Sequence, residues 1–257
     1  MLLAIDSGNT NIVFAIFNDD GGIQKEWRSS TRVRRTPGEY AVWLYGLMKL
    51  EKLSPKDIKN VIIANVVPKT LGDLKTLSLE HFKIKPIVVG ERDVKLGISI
   101  EIDNPKEVGA DRLVNAIAGY EMYGGPLIII DFGTATTFDV IKQNGTYCGG
   151  AIAPGINLSI EALYQAAAKL PRISITAPKK IIGTNTIDAM LSGTFWGYVS
   201  MIEGMVKRIQ TEFGSSKMQV ISTGGLSSLI SNHCKTIQIS DEKLTLRGLY
   251  SIFKNNS

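Results

Sequence analysis

The stretch LIIIDFGTATTFDVI, Leu127 to Ile141, decides how the chain folds. Four aliphatic residues run into Asp131; a glycine and three threonines follow before apolar residues return. This pattern predicts a buried strand, a tight Asp-x-Gly turn and a second strand returning beside the first. The chain opens in the same way, with LLAIDSGNTNIVFAI at Leu2 to Ile16. Aligned on their aspartates, Asp6 matches Asp131, Gly8 matches Gly133, Asn9 matches Thr134 and Ile16 matches Ile141. Asn18 to Gly22 and Gln143 to Gly145 supply the next turn of each copy. Further along, VIIANVVP (Val61 to Pro68) and VISTGGLSSLI (Val220 to Ile230) each suggest a buried strand followed by a turn. The fold class expected is therefore α/β, built from two similar domains, residues 1–123 and 124–257, with an interdomain cleft at the strand-ending turns.

Helical patterns fill the intervals. Tyr40 to Leu53 has one apolar face, Val108 to Met122 follows NPKEVGADR, and Ile160 to Leu170 is stopped by Pro171. A long helix is expected from about Ile187 to Phe213, capped by Asn185 or Thr186, and a last one over Leu244 to Lys254. The long helix carries Gly193, Gly197 and Gly204. Each glycine costs about 1 kcal/mol relative to alanine in a helix, so close approach by another backbone is expected, either across a subunit interface or within the chain.

Bulk properties narrow the function. The 257 residues are 44% apolar and 21% charged, with a net charge of +5. No apolar run approaches the roughly 20 residues that span a bilayer, and the apolar start breaks at Asp6 with no basic segment before it. No membrane association and no signal peptide are expected. Cys148 and Cys234 sit in no metal or redox spacing, which suits a reduced, cytoplasmic setting. The basic residues are dispersed, and their densest cluster, Arg32, Arg34 and Arg35, lacks interleaved aromatics, so no nucleic-acid partner is expected. His81 and His233 have no triad or metal partner nearby in sequence.

The two turns suit phosphate chemistry. Their glycines let backbone N–H groups approach a phosphate, while Asn9, Thr10, Thr134, Thr136 and Thr137 add donors without bulk. Asp6 and Asp131 can hold hard cations beside phosphate oxygens. Capping alone would explain one such aspartate; two matched copies favour a ligand role. TGGL at Thr223 suits a nucleobase or ribose, and GGAIAPG at Gly149 a second phosphate-side loop, though either serves equally as a plain turn. EVGADRL (Glu107 to Leu113) places Asp111 and Arg112 in the first turn of a helix, where a carboxylate can orient a hydroxyl and a guanidinium can hold an anion. A surface Asp–Arg pair at a helix start is the plainer alternative.

The motifs DSGNTN, GADR, DFGTATT, GGAIAPG, KLPRI, GTNTIDAM and TGGL, in this order, resemble the type III pantothenate kinases, within the superfamily of actin, sugar kinases and heat-shock chaperone ATPases. The resemblance implies a duplicated ribonuclease H-like, actin-like ATPase fold. It also implies transfer of the ATP γ-phosphate to the 4′-hydroxyl of pantothenate, the first step of coenzyme A synthesis. By the same resemblance Asp111 is the general base. Asp6, Ser7, Gly8, Asn9, Thr10, Asn11, Ile12 and Val13 form the ATP phosphate loop, with Asp6 near Mg²⁺, and Thr134 contacts ATP. Asp131 holds a monovalent cation, K⁺ or NH₄⁺. Gly109, Ala110, Asp111, Arg112 and Thr186 contact pantothenate, Thr186 across a homodimer boundary. Ile102 stands where the family usually has a tyrosine lining the pantothenate pocket, and Asn65 where it commonly has serine. Two other functions remain compatible with the turns alone: a phosphatase or nucleotide hydrolase of the same fold, and a non-enzymatic regulatory protein.

Overall fold

Two strand-turn-strand repeats give two sheets of identical topology. The computed structural model describes residues 1–32, 34–166 and 170–257. It divides into one compact unit of Met1–Ile98, Asp103–Ala118 and Thr245–Ser257, and a second of Ser99–Ile102 and Gly119–Leu244. These units differ from an even division after residue 123, because the C-terminal segment returns to the first sheet.

In the first unit β1 (Leu2–Ser7), β2 (Asn11–Phe17) and β3 (Ile23–Ser30) form an antiparallel meander. Helix α1 (Pro37–Leu50) follows; β4 (Asn60–Asn65) then pairs parallel with β1. Helix α2 (Pro68–Thr76) runs into a π-helical turn, and β5 (Ile87–Val88) joins β4. The order is β3-β2-β1-β4-β5. Helix α3 (Ala110–Tyr123) leads into the second unit, where β6 (Leu127–Phe132), β7 (Ala135–Ile141) and β8 (Tyr147–Pro154) repeat the meander. Helices α4 (Ile156–Ala166) and α5 (Thr186–Phe213), strand β9 (Gln219–Gly224), helix α6 (Ser227–Ser231) and β10 (Ile239–Ser240) complete it. Here the order is β8-β7-β6-β9-β10, the same topology, with β9 and β10 again parallel. Helix α7 (Leu244–Lys254) closes the chain. The architecture is α/β with two mixed five-stranded sheets, as the duplication predicts.

The match extends to irregularities, since both meanders shift register at their far end, between Ile16 and Phe17 and between Val140 and Ile141. The expected pairing of Ile16 with Ile141 is one residue out. Phe17 lies opposite Leu2 as Ile141 lies opposite Leu127. The cause is turn length: Gly8 N–H donates to Asn11 O, whereas Gly133 N–H donates to Ala135 O, so the first turn holds one more residue.

Each sheet's faces follow from strand alternation. One face of the first sheet (Leu3, Ile5, Phe14, Ile16, Ile63) packs under α1 through Tyr40, Leu44 and Met48. The other (Leu2, Ala4, Phe17, Ile62) packs under α3 and α7 through Val114, Ile117, Leu249 and Ile252. Gly248 lets α7 sit against α3, since a Cβ there would lie 2.7 Å from Val114 Cγ1. In the second sheet, Ile128, Ile130, Phe138 and Val220 pack under α5 through Phe195, Val199, Ile202 and Val206.

Of the expected helices, α7 matches its predicted range. Helix α1 begins three residues early because Thr36 caps it in a capping box with Glu39. The helix expected over Ile160 to Leu170 is α4 as far as Ala166; residues 167–169, with Lys169 of the KLPRI motif, lie outside the described residues. Asn185 caps α5: its Oδ1 accepts from Asp188 N–H at 2.9 Å, so Thr186 is the first helical residue. A Cβ at Gly193 or Gly197 would meet nothing within 4 Å, so tight packing within the described chain does not explain these glycines.

Candidate active site

In the first unit the β1–β2 turn sits where β1 and β4 end. Thr31 ties it down from the end of β3, donating from Oγ1 to Gly8 O at 2.6 Å and from its N–H to Thr10 O at 2.9 Å. Asn9, Thr10 and Asn11 are exposed and Asp6 is half-buried. Two neighbours face inward. Ser7 is fully buried with its hydroxyl 3.0 Å from Thr70 Oγ1, and Ile12 lies in the core, leaving its backbone alone to meet a ligand. Beside Asp6 in register stand Val13 on β2 and Ala64 on β4.

Asp111 belongs to the same unit. Val66 N–H donates to Ser7 O at 3.0 Å, and Val66 Cγ1 would lie 3.7 Å from a Cβ at Gly109. The GADR segment thus adjoins the strand ends that carry the first turn. Asp111 stands in the first turn of α3, and its Oδ1 accepts from Arg112 N–H at 2.8 Å. Burial pushes its carboxyl above the ordinary aspartate range, with the Arg112 N–H and guanidinium charge opposing the rise. A Cβ at Gly109 would come within 2.6 Å of Oδ1, so glycine leaves the carboxylate its place.

Also in this unit, Arg32, Arg34 and Arg35 border a cavity of about 940 Å³ with Ser29, Ser30 and Thr36. The Arg35 guanidinium lies 4.8 Å from the centre of the Tyr40 ring and 5.1 Å from that of Trp43, and donates to Ser29 Oγ at 2.5 Å. One of the three arginines is therefore engaged in packing.

The second unit gathers Asp131, Thr134, Gly155 and the end of β9. Gly155 N–H donates to Thr134 O at 3.1 Å. Asp131 is half-buried, in register with Thr137 on β7 and Thr223 on β9. Gly224, at φ +90°, approaches so closely that a Cβ would lie 2.5 Å from Asp131 Oδ1. Thr136 departs from its expected role: it is fully buried, and its hydroxyl pairs with Tyr198 OH on α5, because alternation turns it to the opposite face from Thr137. Thr137 instead donates to Asp139 Oδ2 at 2.9 Å, and Tyr147 OH donates to Asp139 Oδ1 at 2.9 Å. Asp139 and Thr223 are fully buried; no sequence pattern marked Asp139, and Thr223 drew notice only as the first residue of a turn.

Ile102 belongs to the second unit, half-buried, with Cγ2 at 3.9 Å from a Cβ built at Gly149. Gly109, Ala110, Asp111 and Arg112 belong to the first, and Thr186, exposed, to the second. The His233 ring packs edge-on against Phe195 and Trp196, and the backbone carbonyl of His81 accepts from Tyr45 OH at 2.5 Å. Among the described residues no three His, Cys, Asp or Glu side chains cluster to hold a metal, and no helix is long and apolar enough to cross a membrane.

The chain matches the family model for type III pantothenate kinase over residues 2–208. It is 58% identical over 257 residues to the type III pantothenate kinase of Paramagnetospirillum magneticum, covering 100% of this chain and 98% of that one. It is 57% identical to that of Rhodospirillum rubrum, covering 100% and 99%. Among solved structures it superposes on component A of the (R)-2-hydroxyglutaryl-CoA dehydratase of Acidaminococcus fermentans with a TM-score of 0.56 and 16% identity, covering 100% and 99%, a likeness of fold alone. The family match over most of its length and full-length identity above one half make this chain a member of the type III pantothenate kinase family.

Proposed function

We propose that the chain phosphorylates pantothenate at its 4′-hydroxyl, using Asp111 as the general base. As the substrate oxygen bonds to the γ-phosphorus of ATP, Asp111 accepts the hydroxyl proton, and the bond from γ-phosphorus to the bridging oxygen breaks to release ADP. The observation carrying this reading is the placement of Asp111. It is a half-buried carboxyl whose proton affinity desolvation raises, held by Arg112 N–H beside a glycine that leaves it room. A base whose affinity is moved toward neutrality accepts a proton more readily at the moment of attack. Arg112, with Gly109 and Ala110, would hold pantothenate's carboxylate end; by the family resemblance Ile102 and Thr186 are further pantothenate contacts, Thr186 across a homodimer boundary.

The exposed Asn9–Asn11 turn, with backbone from Asp6 to Val13, would take ATP phosphates, as would Thr134. A divalent cation supplies neutralisation of phosphate charge. Asp6 fits Mg²⁺: one half-buried carboxylate near the end of β1, just before the exposed turn and flanked in register by side chains that offer no competing ligand, leaves coordination positions for the waters that Mg²⁺ retains. Asp131 fits a monovalent cation, since hydroxyls rather than apolar groups stand on both sides of it.

A homodimer through α5 is supported by an apolar surface in the second unit. Ile181, Ile182 and Ile187 are 69%, 78% and 49% exposed. A shallow cavity of about 480 Å³ there is lined by Ile181, Gly193, Trp196 and Gly197. Among the described residues nothing covers Gly193 or Gly197.

Asp111→Asn tests the central assignment. Turnover falls at least ~100-fold while ATP binding is kept; near-normal turnover removes Asp111 from the role. ATP hydrolysis unaffected by pantothenate would favour the hydrolase instead.

A further inference from the structure

The duplication allows an internal comparison. Asp6 and Asp131 occupy equivalent ends of equivalent strands, yet their register neighbours differ in kind. Asp6 stands between Val13 and Ala64, and Asp131 between Thr137 and Thr223. Neighbours in register point to the same face of a sheet, so the second copy has two hydroxyls beside its carboxylate where the first has hydrocarbon. Folding does not demand this. The first copy shows that the topology accepts apolar residues at both positions.

Thr223 is the sharper case. It is 0% exposed, and its Oγ1 has no hydrogen-bond partner among the described residues. A buried hydroxyl without a partner costs about 1–3 kcal/mol, and alanine or valine would avoid that cost. Gly224, next to it, lacks the side chain that would collide with Asp131 Oδ1, which places that oxygen over the same end of β9. Thr137 complements Thr223. Its proton is committed to Asp139 Oδ2, so its oxygen can offer only lone pairs to anything beside Asp131. Asp139 is itself fixed by Tyr147 OH and is fully buried, so the hydroxyl of Thr137 is held in one orientation.

We propose that the Oγ1 atoms of Thr137 and Thr223 are ligands, with the Asp131 carboxylate, of the monovalent cation assigned to the second unit, and that Asp139 is a positioning residue orienting Thr137. The inference rests on the reading of Asp131 as the cation site. Neutral oxygens that replace hydration water suit K⁺, whereas Mg²⁺ gives up its waters reluctantly.

The test uses the full-length protein without ATP, melted across a titration of KCl with choline chloride holding ionic strength constant. Thallium-205 NMR with competition by K⁺ serves as a direct binding readout. Wild type gains stability with K⁺. Thr223→Val melts above wild type in choline, because the unpartnered hydroxyl is gone, yet needs at least about tenfold more K⁺ for the same gain. Thr137→Val shows the same rightward shift, and Asp139→Asn a smaller one. The ligand assignment is overturned if both Thr variants keep the wild-type K⁺ midpoint while Asp131→Asn loses the response; Asp131 then stands without its hydroxyls. If Asp131→Asn responds like wild type, or wild type does not respond to K⁺, the cation reading of Asp131 fails as well. A Thr223→Val protein that melts below wild type in choline would show that the hydroxyl is satisfied structurally, and would also refute the proposal.

Discussion

Replacing Gly109 by alanine isolates the position of one carboxylate. A Cβ there would stand 2.6 Å from Asp111 Oδ1. Carbon and oxygen in unstrained contact keep about 3.3 Å or more, so Oδ1 must retreat by about 0.7 Å. The atom in the way is the end of a rotatable side chain, and the other nearby group, Val66 Cγ1 at 3.7 Å, is already at ordinary contact distance. Gly109 is not among the glycines at positive φ, so alanine meets no backbone penalty and restricts the unfolded chain, worth about 0.4–1 kcal/mol in its favour. Stability should therefore hold or rise slightly. Catalysis should not. Displacing a reacting group by about 1 Å can cost ~100-fold, so a shift of this size, which also loosens the Arg112 N–H contact, should lower turnover about 10- to 100-fold, or about 1.4–2.7 kcal/mol of barrier. The assays are coupled ADP release with saturating pantothenate, and a thermal melt of the same preparation. Wild-type turnover would refute the claim that Asp111 needs its observed place. A melt lowered by several degrees would refute the claim that only the side chain moves.

Gly224→Ala should behave differently, since its Cβ meets the Phe132 carbonyl oxygen at 2.7 Å as well as Asp131 Oδ1, and its φ is +90°. Backbone must shift, and chemical denaturation should show a loss of at least about 1–3 kcal/mol. For Asp111 the burial-raised proton affinity has a defined sign: the ionised carboxylate costs stability in the folded state, and protonation relieves that cost. Asp111→Asn should thus melt above wild type at neutral pH. The gap should close as pH falls from the raised folded value through the ordinary aspartate range, while wild-type kcat/KM declines over the same descent. Thr36→Ala removes the hydroxyl that accepts from Glu39 N–H at 3.3 Å, and should cost about 0.5–2 kcal/mol in urea unfolding with turnover unchanged. Gly193→Leu with Gly197→Leu adds bulk where the described chain has none nearby. Light scattering should show dissociation to monomers with no fall in helix content, and an unchanged mass would remove α5 as the interface.

The parts of the fold legible in sequence were those carried by local pattern. Alternation and turn residues located the first two strands of each meander, while β3 went unread and GGAIAPG, expected as a loop or turn, is most of β8. Helical patterning located α1, α3, α5 and α7, with a cap named for α5. Helix α2 went unread because Pro68–Thr76 is largely polar and carries a glycine, and its burial through Thr70 and Leu74 is a tertiary fact. Nothing local says that α7 returns to the first sheet; that is decided by which apolar face remains uncovered. At the site, the aspartates and glycines were legible, but the threonines of DFGTATT were not separable. Aligning the two turns without a gap hid the extra residue in the first, and a one-residue slip exchanges the faces of a strand. Thr136 and Thr137 therefore read as equivalent donors, although one bonds Tyr198 beneath α5 and the other stands beside Asp131.

The two halves separate what the topology requires from what has been added to it. Both keep a strand ending in aspartate, a glycine turn and the same strand order, and these suffice to build each sheet. The interior around Asp6 is completed by Val13 and Ala64, which add burial and ask for no partner. Around Asp131 the same positions carry polar groups: Thr137 held by a fully buried carboxylate, and Thr223 with a hydroxyl left unpartnered. Polar groups in such places oppose folding unless something satisfies them. Since the sister half shows that the sheet closes without them, stability does not account for their presence. The difference between the copies is chemical, and it lies where an ion could repay the cost of burying oxygen.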